Sequence, residues 1–236
     1  GLDEESVIGD WNNNIRRVTV SAFRIDQYEV SNKKYREFTN WVREVYKPLG
    51  KDSIYKTVLP DTLVWKSDLA YNEPMIEGYF RSPAFNEYPV VGVSWIQAVE
   101  FANWRSDRVN EYNLEKAGYL KRDAKIVDVN SEQTFSTDTY INAPSLTYGG
   151  NEEIINAEGR GRRNVQVDAD GNESGIYATR ETGIISPKYR LPTETEWEYA
   201  ALGLSEIRSF NLYRGRKKYP WDGQYTRSGS RAQRGD

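Results

Sequence analysis

Asp168, Asp170 and Asn172 offer closely spaced oxygen ligands of the kind a hard cation such as calcium takes. Gly171 follows the second Asp directly instead of standing at the sixth loop position, and no Glu follows where a bidentate ligand belongs. The spacing therefore favours a turn, with Asp170-Gly171 closing a hairpin between the flanks Val165, Val167 and Ile176, Tyr177. Ser94, in Gly92-Val93-Ser94-Trp95-Ile96, sits between a strand-like and a helix-like segment, as a hydrolase nucleophile does. The second Gly of that motif is missing, and Gln97 three residues on makes Ser94 a helix cap instead. Asp26 with Glu29, and Glu194 with Glu196 and Glu198, pair carboxylates at spacings that general acid–base chemistry uses. Glu29 precedes a cap and the other three fall in a first helical turn, where the helix dipole explains them. These positions give no catalytic, cofactor-binding or metal-ligating residue.

What is absent narrows the chemistry further. The sequence holds no histidine and no cysteine. Within these residues that excludes Cys/His zinc sites, thiolate nucleophiles, iron–sulfur clusters, disulfides and His-based triads. Carboxylate, Lys, Tyr or Ser chemistry and oxygen-ligand metal binding remain. The segment from Arg208 to Arg234 interleaves Arg214, Arg216, Lys217 and Lys218 with Phe210, Tyr213, Tyr219 and Trp221, a pattern that suits single-stranded nucleic acid. The formal net charge of -3 argues against such a partner, and solvated cations around packed rings account for the segment.

Periodicity gives the helices and strands that carry these residues. With 236 residues, 38% hydrophobic and 13% aromatic, the chain can build a sizeable core. Arg17 to Tyr28 alternates through Val18, Val20 and Ile25 and predicts a strand. Ser31 caps a helix over about Asn32 to Tyr46, whose buried stripe is Tyr35, Phe38, Val42 and Val45. Pro89 to Val93 reads as a short buried strand leading into a second helix that carries Ala98, Val99, Ala102, Arg105 and Val109. Pro192-Thr193 with Glu196 opens a third helix that should stop near Gly203. Between Tyr112 and Pro187 the sequence turns polar and Gly- and Asn-rich with no sustained period, and reads as a long insertion with short hairpins. No apolar run approaches the ~18 residues of a membrane span, and no signal peptide is visible at the acidic N-terminus.

Three blocks carry a resemblance. The first is Phe23, Ile25, Tyr28, Glu29, Val30, Asn32, Tyr35 and Phe38; the second is Pro89-Val90-Val91-Gly92-Val93-Ser94-Trp95 with Ala98 and Trp104. The third runs Tyr189-Arg190-Leu191-Pro192-Thr193-Glu194, then Glu196-Trp197-Glu198-Tyr199-Ala200-Ala201, with Tyr219-Pro220-Trp221 following. In this order they resemble the formylglycine-generating-enzyme family, or sulfatase-modifying-factor domain. The resemblance implies an α+β, C-type-lectin-related fold with little regular secondary structure. It also implies a copper-binding cysteine pair in the enzymes, which convert a substrate cysteine to formylglycine; no position here matches that pair. Ala102 stands where members commonly have a cysteine, and Asp222 where Gly commonly follows the Pro-Trp pair. Trp104 and Arg190 lie far apart where a short connection is expected, which marks the insertion at about 112–187.

Pro60-Asp61-Thr62-Leu63-Val64-Trp65, Ala70-Tyr71-Asn72-Glu73-Pro74, Tyr88 to Val93 and Trp104-Arg105 with Asp107-Arg108-Val109-Asn110-Glu111 resemble more closely the gliding-motility lipoproteins of Bacteroidota. That branch implies a non-enzymatic scaffold of the gliding-motility and type IX secretion machinery at the periplasmic face of the outer membrane. Its expected partners are envelope proteins of that machinery, without nucleic acid, the membrane being reached only through a lipid anchor. The resemblance further implies that residues 1–236 are a partial domain with both ends of the parent missing. An acylated N-terminal cysteine, and any calcium or copper site in the C-terminal part, would then lie outside these residues. Sulfatase-maturing oxidase and calcium-stabilised lectin-like module are the alternatives the family leaves open.

Overall fold

A computed structural model describes residues 18–69, 71–120, 134–150, 166–167, 173–174 and 177–202. The chain divides into two units, Gln27–Leu191 and, jointly, Gly1–Asp26 with Pro192–Asp236.

In the larger unit, helix α1 spans Asn32–Tyr46, as its cap and stripe predict. Ser31 Oγ accepts from the Lys34 N–H, and Tyr35, Phe38, Val42 and Val45 are all buried. Asn32, also buried, ties the start of α1 to a neighbouring loop by donating from Nδ2 to the carbonyls of Tyr79 and Phe85 at 3.2 and 3.0 Å. Helix α2 (Asp52–Val58) lies against α1, with the Tyr35 hydroxyl donating to the Val58 carbonyl at 2.9 Å. A short helix α3 (Glu73–Gly78) follows, and then the long helix α4, Trp95–Ala117. Tyr35, Phe38, Val42, Val58, Phe80 and Phe101 form one buried cluster against the first half of α4. Its rings meet edge to face, Tyr35 with Phe38 at 5.5 Å and Phe38 with Phe101 at 5.8 Å, a geometry worth roughly 0.5–1.5 kcal/mol per pair beyond burial.

The cap of α4 is the reciprocal box expected at Ser94. Gln97 N–H donates to Ser94 Oγ and Ser94 N–H to Gln97 Oε1. Gln97 does a second job that spacing does not show: its Nε2 donates to the carbonyls of Thr57 and Leu59 at 2.7 and 3.0 Å, pinning the end of α2 to the start of α4. Ser94→Ala should therefore cost about 1 kcal/mol and Gln97→Ala about twice that, because it strands two carbonyls as well as the cap. Urea unfolding midpoints of the two variants measure the difference.

The strand readings change. Residues 18–30 form no strand among the described residues. Pro89 makes a single antiparallel bridge with Ser31, flanked by Val90 N–H to Val30 O at 2.9 Å and Asn32 N–H to Tyr88 O at 2.8 Å. Alternation states which face a strand would bury, but a ladder needs a partner of matching length, and Pro89 brings no N–H to one. Gly92, at φ +81°, then turns the backbone out of the extended region. The one paired sheet among the described residues joins Gln166–Val167 to Glu173–Ser174 antiparallel, with Gln166 opposite Ser174 and Val167 opposite Glu173. This is the hairpin expected around Asp170-Gly171, whose turn residues lie outside the described ones. The described residues are thus mostly helical, and the sheet an α+β class requires is not among them.

Helix α4 also runs past Tyr112, where the helical pattern was expected to end. It stops at Gly118, which caps it at φ +81°. Around its C-terminal end, Leu114 of α4 packs with Leu120, Phe135, Tyr140 of helix α5 (Thr137–Asn142), Ala178 and Ile185 in a second buried cluster. Apolar side chains scattered without period still make a core when a preformed helix face collects them.

In the smaller unit, helix α6 (Glu194–Leu202) begins with the box expected from Thr193 and Glu196: Thr193 N–H donates to Glu196 Oε2 at 2.8 Å and Glu196 N–H to Thr193 Oγ1 at 3.3 Å. Phe23 meets Tyr199 edge to face at 6.3 Å. Among the described residues no helix is long and apolar enough to cross a membrane.

Candidate functional site

Ala102, Ser106, Asn110 and Leu114 are all buried and follow one another every fourth residue along α4, so they form one ridge of the helix. Two of the four are polar, and buried polar groups require partners. Ser106 Oγ donates to the Ala102 carbonyl at 2.7 Å and accepts from Tyr189 N–H at 2.8 Å. Asn110 donates from Nδ2 to Thr137 Oγ1 and to the Ser186 carbonyl, at 3.3 and 3.2 Å, while its Oδ1 accepts from Ser186 N–H at 2.8 Å. One turn on, Asn113 Nδ2 reaches the Ile184 carbonyl at 3.3 Å. Asp107 Oδ1 accepts from Thr137 N–H at 2.8 Å, at the start of α5. The side chains of α4 thereby clasp two segments, 134–150 and 184–189, that are remote from it in sequence.

Charged groups complete the clasp. Arg108 donates to the Phe135 carbonyl at 2.9 Å, pairs with Glu111 at 2.7 Å and lies over the Trp41 ring at 4.9 Å. Glu111 also accepts from the Tyr148 hydroxyl. Burial, and then the Glu111 charge beside it, push the Tyr148 hydroxyl far above its ordinary titration range, so it stays a donor. Arg105 stacks on the Tyr189 ring at 4.1 Å. Tyr140, buried in the second cluster, accepts from Ala178 N–H at 2.9 Å.

Burial raises the Tyr140 hydroxyl from 10.0 to about 12, the Ala178 N–H opposing the rise and the neighbouring Tyr119 and Tyr177 adding to it. Because the folded value lies above the unfolded one, this hydroxyl's contribution is complete below pH 10 and is lost as the pH climbs through 12. Burial shifts Tyr35, Tyr79 and Tyr148 in the same direction. Circular dichroism across that alkaline range should show unfolding, with a shallower pH dependence in Tyr140→Phe.

A cleft of about 320 Å³ opens between α1 and α4 on the side of this helix that faces α1. Lys34 and Glu37 contribute from α1, and Phe101, Trp104, Arg105 and Val109 from α4, with Arg108 and Tyr112 extending the wall. The Trp104 indole N–H and the Arg108 Nε–H are buried and have no acceptor.

The residues singled out for chemistry go elsewhere. Ser94 caps α4, both its N–H and hydroxyl engaged by Gln97. Glu29 is exposed ahead of the α1 cap, and Glu196 caps α6. Ala102 is buried in the ridge. Among the described residues no group of three or more acidic side chains could hold a metal. Asp168, Asp170, Asn172 and the segment from Arg208 to Arg234 lie outside the described residues. What residue-type reasoning missed is the clasp; its signal was there in Ser106 and Asn110, polar residues recurring on the ridge that Ala102 and Leu114 define.

Residues 3–235 match the family model of the sulfatase-modifying factor enzyme 1-like domain. The chain is similar to the inactive C-alpha-formylglycine-generating enzyme 2 of Bos taurus, 30% identical over 45% of this chain and 42% of the relative. It is also similar to the formylglycine-generating enzyme of Bos taurus, 28% identical over 46% of this chain and 33% of the relative. The chain thus spans less than half the length of these curated relatives. No solved structure matches it.

Proposed function

Because the chain belongs to the sulfatase-modifying factor enzyme 1-like domain family, we propose that it serves as a non-enzymatic member of that family, a structural component that presents a surface to envelope partners. The observation that carries this reading is the clasp. Ser106, Asp107, Arg108, Asn110, Glu111 and Asn113 are engaged in holding residues 134–150 and 184–189, an arrangement suited to displaying a rigid surface. The block Asp107 to Glu111 is also where the sequence resembles gliding lipoproteins of the GldJ type in Bacteroidota. The partners in this reading are gliding-motility and type IX secretion proteins at the periplasmic face of the outer membrane, and the parent domain keeps the family's α+β class. A relative named as inactive supports a non-catalytic use of the domain. A relative named as a formylglycine-generating enzyme supports the alternative, a sulfatase-maturing oxidase.

Affinity purification of the full-length protein from gently solubilised envelopes, quantified by mass spectrometry against an untagged control, separates the two. Enrichment of gliding and secretion components is the expected result. Recovery of a cysteine-bearing sulfatase substrate without them would overturn the scaffold in favour of the oxidase.

A further inference from the structure

We infer that residues 144–150 form a strained latch, a turn that the Tyr148 hydroxyl holds closed against α4 and that opens by itself while α5 stays folded. The backbone supplies the strain. Tyr148 has φ +52°, the single positive value at a non-glycine among the described residues. Gly149 follows at φ +69°, and Gly150 N–H donates to the Thr147 carbonyl at 3.0 Å, closing the turn. Turns whose two central residues are both left-handed take Asn, Asp or Gly at the first of them, because a bulkier side chain crowds the neighbouring carbonyl. Tyr148 occupies that place.

Thr147, next to it, is 1% exposed, and its hydroxyl oxygen has no hydrogen-bond partner. A hydroxyl left unpaired in the closed turn regains water when the turn opens, so it adds to the strain instead of opposing it. Against both stand the side-chain contacts of Tyr148. Its hydroxyl donates to Glu111 Oε1, and its ring lies 5.9 Å from that of Phe135. Arg108 fixes the other carboxylate oxygen of Glu111 at 2.7 Å and is itself held by the Phe135 carbonyl. Glu111 therefore keeps a cationic partner when Tyr148 leaves, and opening strands no charge. Opposed terms of this kind bring two states close in free energy. Helix α5 has no such conflict: Ser136 Oγ caps it through Thr139 N–H, and Tyr140 N–H donates to the Ser136 carbonyl at 3.0 Å. Leu146, 63% exposed, rides on the turn, so opening moves an apolar side chain of the surface. The latch is internal to the chain and goes beyond the scaffold reading without depending on it.

The test is native-state amide hydrogen exchange, followed by NMR on the ¹⁵N-labelled full chain. In the wild type the Gly150 amide is expected to be protected at least roughly tenfold less than the Tyr140 amide of α5, as a separate local opening requires. Tyr148→Phe keeps the ring and the strained backbone but removes the tether, and should lower Gly150 protection roughly tenfold more while Tyr140 is unchanged. Tyr148→Asn deletes more of the side chain yet suits the turn, and should leave Gly150 better protected than Tyr148→Phe does. Thr147→Val, of the same shape without the unpaired hydroxyl, should raise Gly150 protection roughly three- to tenfold. Equal protection of Gly150 and Tyr140 in the wild type would mean that the turn opens only with α5 and overturns the latch. So would an unchanged Tyr148→Phe, or a Tyr148→Asn turn less protected than that of Tyr148→Phe, since ring packing and not a tether against strain would then hold the segment. Failure of envelope capture would remove the scaffold reading and leave these exchange rates as they are.

Discussion

Gly92→Ala is expected to be the most damaging single-methyl change in the larger unit, lowering its stability by roughly 3–5 kcal/mol. A Cβ at this position would lie 2.0 Å from the Asp61 carbonyl oxygen and 2.9 Å from its carbon, both backbone atoms that no side-chain rotation can move away. The close approach exists because Asp61 N–H donates to the Gly92 carbonyl at 2.8 Å, joining the loop after α2 to the chain that enters α4. Gly92 also has φ +81°, which a residue with a Cβ adopts only under strain. Gly183→Ala separates the two causes. Gly183 has φ +70° but nothing within 4 Å of a built Cβ, so that variant carries the conformational cost alone, roughly 1–2 kcal/mol. Urea unfolding followed by Trp fluorescence measures both, and equal midpoints for the two would show that the Asp61 contact yields.

The second large effect is expected at Asn110. Asn110→Ala removes two donated bonds and one accepted bond, and leaves the Ser186 N–H and carbonyl without their partner, a loss of about 3 kcal/mol. Asn113→Ala, whose bonds to Ile184 and Ser186 are longer and partly exposed, should cost about 1 kcal/mol. The effect of Asn110→Ala should also be local. Hydrogen exchange is expected to lose protection in α5 and residues 177–189 while α1 and α2 keep theirs, because the two clusters of side chains pack on different halves of α4. Uniform loss across α1 and α5 would mean that the clasp and the first cluster unfold as one element, and the idea of a separately held presenting surface would fail with it.

Both predictions fall on residues whose importance is invisible to periodicity. Gly92 reads in sequence as one residue of a short apolar strand, and Asn110 as a polar position on a long helix. Each matters because of a chain segment that arrives from elsewhere: Asp61 in one case, Thr137 and Ser186 in the other.

Local order was legible in the residues alone. Ser31, Ser94 and Thr193 started helices where expected, and α1 ended at Tyr46, because caps and three- and four-residue stripes involve only residues within a turn or two of one another. The family blocks were legible for the same reason: they are short ordered strings, and the match over residues 3–235 agrees with them. Tertiary structure alone decided the rest. Residues 18–30 alternate as a strand should but make no ladder among the described residues, since pairing depends on a partner the pattern cannot name. The polar stretch after Tyr112 supplies a second core because the continued α4 offers Leu114 as a surface on which Phe135, Tyr140 and Ile185 converge. The clasp is likewise a product of convergence: Ser106 and Asn110 are buried in the ridge, and burial obliges each to find partners more than seventy residues away.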